Sequence, residues 1–475
     1  MSENNLINKI WNYATILRDS GVSYTEYVSQ LTYLLFLKMD DEMASAGLKT
    51  QIPNEFSWGA LKSTDGSELE KKYSEILENL SKFDGIIGAI YQKAKNQITE
   101  PAKLKRLVGL IDNETWMGLD VDVKGAIYEG LLQKNATETK AGAGQYFTPR
   151  ALIKAIVEVM QPKYDMKVLD PACGTGGFLL AAYEYMRAQT NDKIAIKELK
   201  ENGVRGVDIT PLVVSLCAMN LYLHGIGGAE SPVKVGDSLV SRGNEFYDMV
   251  LTNPPFGKKS ATKIMTSDGS VDTQRENYER DDFIATTSNK QINFLQHIMS
   301  VLKIGGKAAV IVPDNVLFEA GAGEKVRKRL LKDFKLHTIL RLPTGIFYAQ
   351  GVKANVLFFD KFTPLDGEKY RTSEVWVYDL RTNTNLTLVT NSLKSEHLAD
   401  FVECFKAENF DERHESERFK RFEIAEILKR DKTNLDILWL KDESLMDSEN
   451  LPEPDEILAE ILGDLKTALG EIENI

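Results

Sequence analysis

The 475-residue sequence predicts an α/β fold, in which a doubly wound, mostly parallel sheet lies between a helical N-terminal domain and a helical C-terminal extension. Two observations support this fold class. Short apolar runs alternate with helical stretches from residue 141 onwards, which is typical of βαβ units. Several of these runs also end in an acidic or amide residue at a glycine- or proline-rich turn, where such sheets bind ligands.

The N-terminal domain, residues 1–140, is predicted to be helical. Apolar residues recur at helical spacing over 6–17, and Ser23 with Glu26 predicts a capping box at the start of a second helix. Another helix is predicted at residues 124–133. The domain contains no constellation of catalytic side chains, which favours a scaffolding role.

The sheet domain is predicted at residues 141–385. Its strands are predicted at 167–170, 204–208, 233–235, 248–252, 307–312, 336–342, 354–360 and 374–378. Helices are predicted between them at 149–160, 177–189, 211–223 and 292–302. Residues 258–290 are polar and lack periodicity, so they predict a long mobile loop.

The C-terminal region, residues 386–475, is predicted to be helical, with no strand after about Thr382. A stripe of apolar residues at 457–469 predicts a final amphipathic helix. Two roles fit this pattern equally well. The helix either docks on a partner protein or packs on the core of this chain.

The net charge of the chain is −12, from 58 basic and 70 acidic residues. A uniform negative charge would repel nucleic acid and exclude a basic DNA clamp. The charge is not uniform, however, because eleven acidic residues and one lysine occupy the segment from Asp442 to the C-terminus. The composition therefore permits nucleic acid as a partner, but it predicts that the chain holds DNA weakly on its own.

Cysteine and histidine usage gives no sign of a metal site. The three cysteines are widely spaced and predict neither a disulfide framework nor a zinc site, and the five histidines show no metal-binding spacing. No apolar segment is long enough to span a membrane, and no secretory signal is recognisable. We therefore expect a cytoplasmic protein with reduced thiols, no metal and no membrane partner.

A glycine-rich turn after the first predicted strand is the strongest local motif. The sequence Asp-Pro-Ala-Cys-Gly-Thr-Gly-Gly-Phe begins at Asp170 and contains Gly174, Thr175, Gly176 and Gly177. Glycines let the main chain approach a ligand, and a helix N-terminus follows at the carboxyl edge of the sheet. The spacing is neither that of a dinucleotide-binding turn nor that of a P-loop. A plain tight connection is the structural alternative.

Two more acidic residues follow predicted strands. Asp208 ends the second strand, and Asp237 follows the third. A carboxylate at the end of the second strand can accept both hydroxyls of a ribose. Either residue alone is more often a helix cap or a turn residue. Three strand-end carboxylates beside a glycine turn nevertheless indicate a nucleoside ligand along the sheet edge.

A second motif, Asn253-Pro254-Pro255-Phe256, follows the fourth predicted strand. The prolines restrict the backbone and donate no hydrogen bond, so the Asn253 side-chain oxygen and the Pro254 carbonyl remain as acceptors. Two acceptors suit a planar amino group, and Phe256 offers that group a face for stacking. The alternative is a rigid turn with a buried phenylalanine.

Together, these motifs resemble those of the amino-methylating class of S-adenosylmethionine-dependent DNA methyltransferases. The sequence Gly-Gln-Tyr-Phe-Thr-Pro-Arg at 144–150 and the Leu-Pro-Thr-Gly-Ile-Phe turn at 342–347 are similar to those of one branch. That branch comprises the modification (methyltransferase) subunits of type I restriction–modification systems. The resemblance covers most of the chain and implies a Rossmann-like methyltransferase domain at residues 141–385.

The resemblance also implies roles for individual residues. Asp170 and the turn Gly174, Thr175, Gly176 and Gly177 would line the methionine part of S-adenosylmethionine, while Asp208 would hold the ribose hydroxyls and Asp237 the adenine amino group. Gln145, Tyr146, Phe147, Thr148, Pro149 and Arg150 would close over the cofactor, with Thr148 as the N-cap of a helix and Pro149 at its first position. The catalytic residues would be Asn253, Pro254, Pro255 and Phe256. Many relatives carry glutamate at the position of Asp208.

The implied reaction is methylation of the N6 amino group of an adenine flipped out of duplex DNA. The resemblance also implies a DNA specificity subunit that binds two copies of this chain, and it leaves open a restriction subunit. A methyltransferase acting on protein glutamine or RNA is an alternative, because these amino groups look alike to two acceptors. A second alternative is a subunit that keeps the fold and only docks partners.

Overall fold

The computed structural model describes residues 24–116, 148–256, 277–347, 352–387 and 391–441, the backbone of 261–265 and 271–275, and five positions between 9 and 16. The helices predicted at 124–133 and 457–469 lie outside these ranges, as do Ser23, Gln145, Tyr146 and Phe147. No helix in the described ranges combines the length and the apolar character that a lipid bilayer requires.

The N-terminal region is helical over its described part, as predicted. Its helices are α1 (Tyr24–Ser45), α2 (Trp58–Lys62), α3 (Gly66–Leu80), α4 (Gly85–Tyr91) and α5 (Pro101–Asp112), with a 3₁₀ turn at Asn54–Phe56. Their apolar faces pack on one another, and Trp58 and Trp116 are among the largest fully buried side chains. Burial of each large apolar side chain stabilises this packing by about 1.5–3 kcal/mol.

A nine-stranded sheet forms the centre of the rest of the chain. Nine of the eleven strands in the described residues belong to this sheet. The eleven strands are β1 (Val168–Asp170), β2 (Val204–Asp208), β3 (Val233–Val235), β4 (Tyr247–Thr252), β5 (Ala261–Met265), β6 (Val271–Arg275), β7 (Leu302–Pro313), β8 (Phe334–Arg341), β9 (Ala354–Lys361), β10 (Glu374–Asp379) and β11 (Phe419–Glu423). Their order is β11-β10-β8-β9-β7-β4-β1-β2-β3, and β5 pairs with β6 separately. Among the nine, β9 and β11 run antiparallel to their neighbours and the others run parallel. The predicted mostly parallel sheet is confirmed.

Helices cover both faces of this sheet. They are α6 (Arg150–Met160), α7 (Gly177–Arg187), α8 (Lys193–Asn202), α9 (Pro211–Leu223), α10 (Lys290–Val301), α11 (Asn315–Phe318), α12 (Ala322–Asp333), α13 (Ser395–Phe405) and α14 (Ile424–Lys429), with 3₁₀ turns at Phe410–Glu412 and Asp431–Thr433. Alternate residues of β4 belong to different cores, since Met249 and Leu251 lie in one apolar cluster and Val250 in the other. A strand buried on both faces is expected where helices cross over a parallel sheet.

Helix α9 connects the N-terminal helices to the sheet. Its residues from Val213 to Leu223 are all buried, because the sheet lies on one side and the N-terminal helices on the other. The Tyr222 hydroxyl donates to Asp40 of α1 at 2.6 Å and accepts from the Gln51 N–H at 2.8 Å. These contacts hold the helical region against the sheet.

Two predictions about the connecting segments are wrong. Strand β11 extends the sheet beyond Thr382, pairing antiparallel with β10. Phe419 is its one buried residue and its exposed residues are charged, as in many edge strands, so its sequence lacks the apolar alternation of a half-buried strand. In addition, β5 and β6 form an antiparallel hairpin inside the predicted loop 258–290. Backbone hydrogen bonds make this hairpin, and its sequence lacks the apolar alternation by which strands are recognised.

Candidate active site at the carboxyl edge of the sheet

Two adjoining cavities lie at the carboxyl ends of β1 to β4. The larger has a volume of about 630 Å³ and is lined by Pro171, Ala172, Asp208, Ile209, Thr210, Gly236, Asp237, Ser238, Leu239, Asn253, Pro255, Tyr278, Lys290 and Phe294. The smaller, of about 380 Å³, is lined by Thr148, Ile153, Asp170, Ala172, Cys173, Gly174, Thr175, Gly177, Phe178 and Asn253. Ala172 and Asn253 line both, so they mark the junction of the two cavities.

The glycine turn forms the wall of the smaller cavity. Gly176 has a φ of 88°, and a Cβ atom there would lie 2.8 Å from the Cys217 Sγ atom of α9. At Gly177 an added Cβ would lie 2.8 Å from the Ile153 side chain. The glycines therefore allow the turn to sit directly on its neighbouring helices. Cys173 is buried beside Cys217, and both the contact and the burial raise the pKa of its thiol and so disfavour the nucleophilic thiolate.

We expect Gly176→Ala to lower the free energy of unfolding by about 1–3 kcal/mol, because both the positive φ and the contact with Cys217 oppose a side chain. Urea denaturation of the purified chain measures this loss. Gly243→Ala is the matched control, since Gly243 has a φ of 73° but no atom within 4 Å of an added Cβ. Equal losses in the two variants would contradict the contact with Cys217.

Asp170 ends β1 and lines the smaller cavity. It is 2% exposed and accepts hydrogen bonds from the Thr252 hydroxyl at 2.6 Å and the Ala172 N–H at 3.0 Å. Burial raises the pKa of Asp170 to about 7, although both donors oppose this rise. The carboxyl group therefore changes its charge near neutral pH.

Asp208 ends β2 and links two of the strand-end turns. Its carboxylate accepts from the Gly174 N–H at 3.2 Å and from the Thr210 N–H at 2.9 Å. Burial raises the pKa of Asp208, and these backbone donors oppose the rise. The Ser238 hydroxyl donates to the Pro171 carbonyl at 2.7 Å and so joins the turn after β3 to the turn after β1. The three turns are therefore held together as one surface.

Asp237 follows β3 and lines the larger cavity. The Leu239 N–H and the Tyr278 hydroxyl donate to its two oxygens at 2.8 Å and 2.9 Å. The structure thus brings Asp170, Asp208 and Asp237 to one edge, as their positions after neighbouring parallel strands predicted. Tyr278, Lys290 and Phe294 also line this cavity, but the sequence reasoning missed them. A tyrosine inside a polar loop carries no local signal that could have found it.

Asn253 lies where the two cavities meet. Its Nδ2 donates to the Thr148 hydroxyl at 2.9 Å. Its Oδ1 is buried and has no hydrogen-bond partner among the described residues. A buried acceptor without a partner costs about 1–3 kcal/mol, so it is a feature that needs an explanation. A ligand with an amino donor would satisfy it.

The remaining residues of the second motif have different surroundings. Pro255 lines the larger cavity, Pro254 is buried, and Phe256 is half-buried. The Phe256 ring makes an edge contact with Phe347 of the turn 342–347, at 5.5 Å between centroids. Phe256 is not among the residues that line the two cavities. Its predicted stacking role stays a prediction.

Helix α6 starts one residue later than predicted. The helix begins at Arg150, with Pro149 in the N-cap position and no side-chain cap. The prediction of Thr148 as the N-cap is therefore wrong. Thr148 instead accepts from Asn253 and lines the smaller cavity. Neither Arg150 nor Gly176 is among the cavity-lining residues.

Known protein families and relatives match almost the whole chain. A family model for the N-6 DNA methylases matches residues 119–441, and one for the HsdM N-terminal domain matches residues 6–113. The methylase subunits of the type I restriction enzymes StySPI from Salmonella potsdam and EcoKI from Escherichia coli K12 are each 40% identical to this chain. Both alignments cover 100% of this chain and 95% of the relative.

Solved structures show the same relationship. The crystal structure of the EcoKI M protein is 35% identical, with a TM-score of 0.54 over 98% of this chain and 94% of its own. A chain from a study of the assembly of a type I restriction–modification system is 27% identical, with a TM-score of 0.68 over 100% and 98% of the two chains. The chain therefore belongs to the N-6 DNA methylase family, as the methylase subunit of a type I restriction–modification system.

Proposed function

We propose that this methylase subunit transfers a methyl group from S-adenosylmethionine to the N6 amino group of an adenine in duplex DNA. The observation that carries the proposal is the buried Oδ1 of Asn253, which has no partner among the described residues and lies at the junction of the two cavities. One cavity can then hold the cofactor's nucleoside and the other its amino-acid end, with the reacting amino group held between them.

The residues at the sheet edge fit S-adenosylmethionine. Asp170 and the turn from Gly174 to Gly177 would hold the methionine part, since Asp170, Gly174, Thr175 and Gly177 line the smaller cavity. Asp208 would accept the ribose hydroxyls, and Asp237 the adenine amino group. Thr148 would line the methionine end, and residues 145–150 would close over it. When bound, the cofactor supplies a methyl group activated by its positive sulfonium.

Asn253 and Pro254 carry out the central step in this proposal. A flipped adenine places its amino group against two acceptors, Asn253 Oδ1 and the Pro254 carbonyl, which hold both N–H groups. The nitrogen lone pair, otherwise delocalised into the ring, would then attack the cofactor's methyl carbon in line. The C–N bond would form as the C–S bond breaks, and the methylated nitrogen would lose one of its two protons to solvent. Stacking on Phe256 would offset part of the cost of flipping, a few kcal/mol. Positioning supplies most of the rate, and no general base is required.

We expect S-adenosylmethionine to bind more tightly as the pH rises from about 6 to about 8. Below its raised pKa of about 7 the Asp170 carboxyl is largely protonated, whereas the cationic methionine end favours the ionised form. Binding therefore releases a proton, and affinity rises with pH until Asp170 is fully ionised. Titration calorimetry in buffers of different ionisation enthalpy measures both effects. Asp170→Asn removes the pH slope, and an unchanged slope in that variant would contradict the assignment.

The raised pKa of Asp170 affects the stability of the ligand-free protein in the opposite direction: cofactor affinity rises with pH, whereas the free energy of unfolding falls. The folded pKa of Asp170 lies above the ordinary value of 3.8, so the folded state binds more protons than the unfolded state between these two values. The contribution of Asp170 to the free energy of unfolding therefore falls as pH rises from about 4 to about 7 and is constant above that.

The proposed partners are duplex DNA, a DNA specificity subunit that binds two copies of this chain, and a restriction subunit where the system includes one. Recognition of the target sequence has to come from the specificity subunit, since the sequence shows no base-reading module of its own. The net charge of −12 supports this division, because an acidic chain binds DNA weakly unless a partner supplies basic surface.

The test is methyl transfer from labelled S-adenosylmethionine. The chain and its specificity subunit are incubated with duplex DNA, and the modified bases are mapped. Label on the adenine amino group is the expected result. Label on protein glutamine or on RNA would replace the proposal with the first alternative, and cofactor binding without any label would favour a docking role.

A further inference from the structure

Residues 278–289 form a segment that lies outside the sequence motifs and contributes one residue to the larger cavity. Tyr278 is the residue of this segment that lines the cavity, and its hydroxyl donates to Oδ2 of Asp237 at 2.9 Å. Oδ1 of Asp237 accepts from the Leu239 N–H at 2.8 Å. Because each oxygen has its own donor, the Asp237 carboxylate is held in one orientation towards the cavity.

Arg280 connects the segment 278–289 to the loop that carries Asp237. Its side chain is 6% exposed, and its Nη1 donates to the carbonyls of Ser238 and Leu239 at 3.2 Å and 3.3 Å. Its Nη2 pairs with Asp282 at 2.5 Å. The guanidinium also stacks on Phe283, 4.1 Å from the ring centroid. One buried cation thus joins the two stretches of chain that carry the partners of the Tyr278–Asp237 hydrogen bond.

The same segment is tied to helix α10. Oε1 of Gln296 accepts from the N–H groups of Ile284 and Ala285 at 2.7 Å and 2.9 Å, and its Nε2 donates to the Ala285 carbonyl at 2.9 Å. Gln296 is 1% exposed. Buried hydrogen bonds of this kind hold a loop in one position, so Tyr278 is presented to the cavity from a rigid support.

We infer that Tyr278 is a further cofactor-binding residue, which orients Asp237 to select a purine with an exocyclic amino group, and that Arg280 is its positioning residue. The inference rests on the proposed function, in which Asp237 accepts from the adenine amino group. When the Asp237 carboxylate is fixed, it accepts a hydrogen bond from the amino group of an adenine base. The carbonyl oxygen at the same position of a hypoxanthine base would instead face a negatively charged acceptor and be repelled. A carboxylate that is free to rotate would avoid this repulsion.

The test compares two ligands on the full-length chain by calorimetry: S-adenosylhomocysteine and its 6-oxo counterpart, S-inosylhomocysteine. The wild-type chain is expected to prefer the amino ligand by about 10-fold or more, since an unpaired polar contact opposes the other. Tyr278→Phe is expected to weaken binding of the amino ligand by about 10-fold and to narrow the preference to about 3-fold or less. Arg280→Lys is also expected to reduce the preference for the amino ligand.

Tyr247→Phe is the matched control. The Tyr247 hydroxyl also donates to a carboxylate at 2.9 Å, that of Glu245, but Tyr247 does not line either cavity. This variant should keep the wild-type preference. An unchanged preference in Tyr278→Phe overturns the inference, as does a wild-type chain that does not discriminate. A wild-type chain that binds neither ligand refutes the proposed cofactor itself, which separates the two failures.

Discussion

Replacing Asn253 with alanine should lower the rate of methyl transfer by about 1,000-fold while leaving cofactor affinity within a few-fold of wild type, by analogy with the loss of a single positioned group in other active sites. Asn253 Oδ1 is the buried acceptor at the junction of the cavities, so its loss removes one of the two groups that hold the target amino group. Single-turnover transfer of labelled methyl groups to duplex DNA, with the specificity subunit present, measures the effect.

Two further variants, with smaller expected effects on methyl transfer, test the same role of Asn253. Thr148→Val removes the hydroxyl that holds the Asn253 side chain at 2.9 Å but leaves the acceptor in place, so we expect a loss of about 10-fold. Asn79→Ala, on the outer surface of α3, should have no effect. An Asn253→Ala variant that retained more than a tenth of wild-type turnover would show that Pro254 and stacking suffice without it.

Asp379→Ala should lower the free energy of unfolding by about 3–5 kcal/mol, the usual cost of leaving one partner of a buried ion pair without the other. Asp379 is 0% exposed and Arg341 is 4% exposed, and Nη1 of Arg341 lies 2.5 Å from Oδ2 of Asp379. The Thr382 hydroxyl and two backbone N–H groups donate to the same carboxylate. Alanine would leave the buried guanidinium with only its longer contact to Asp436 among the described residues, 3.4 Å from Nη2, and would leave these donors without an acceptor.

The midpoint of urea denaturation measures this loss. Glu78→Ala is the matched control, because Glu78 pairs with Lys82 at 2.8 Å on the surface, where both side chains are more than half exposed. Exposed pairs of this kind contribute about 0.2–1 kcal/mol. A similar midpoint shift in both variants would mean that the Asp379–Arg341 pair is far better solvated than its burial indicates.

The residues at the sheet edge were predictable because their signals are local. Asp170, Asp208, Asp237 and Asn253 each follow an apolar strand by no more than a few residues, and parallel strands bring such positions to one edge. The glycine turn is likewise encoded by adjacent residues. For the same reason, all four are found together around the two cavities.

Other features depended on contacts between distant parts of the chain. Strand β11 forms only because β10 offers a free edge more than forty residues earlier, and the charged sequence of β11 resembles a helix surface when read alone. Tyr278 reaches Asp237 across 41 positions of sequence, held there by Arg280. Thr148 bonds to Asn253 instead of capping its own helix.

The sequence by itself determined the fold class, the family and four of the polar residues at the sheet edge, because periodicity and strand-end motifs act over a few residues. It also predicts that Asn253 and Pro254 offer acceptors to a ligand. Only the tertiary structure decided that the Asn253 side-chain oxygen is buried without a partner among the described residues. Only the tertiary structure, likewise, brings the Tyr278 hydroxyl to the Asp237 carboxylate. The physical reason is that burial and hydrogen-bond pairing are properties of all the neighbours of an atom, and most of those neighbours are remote along the chain.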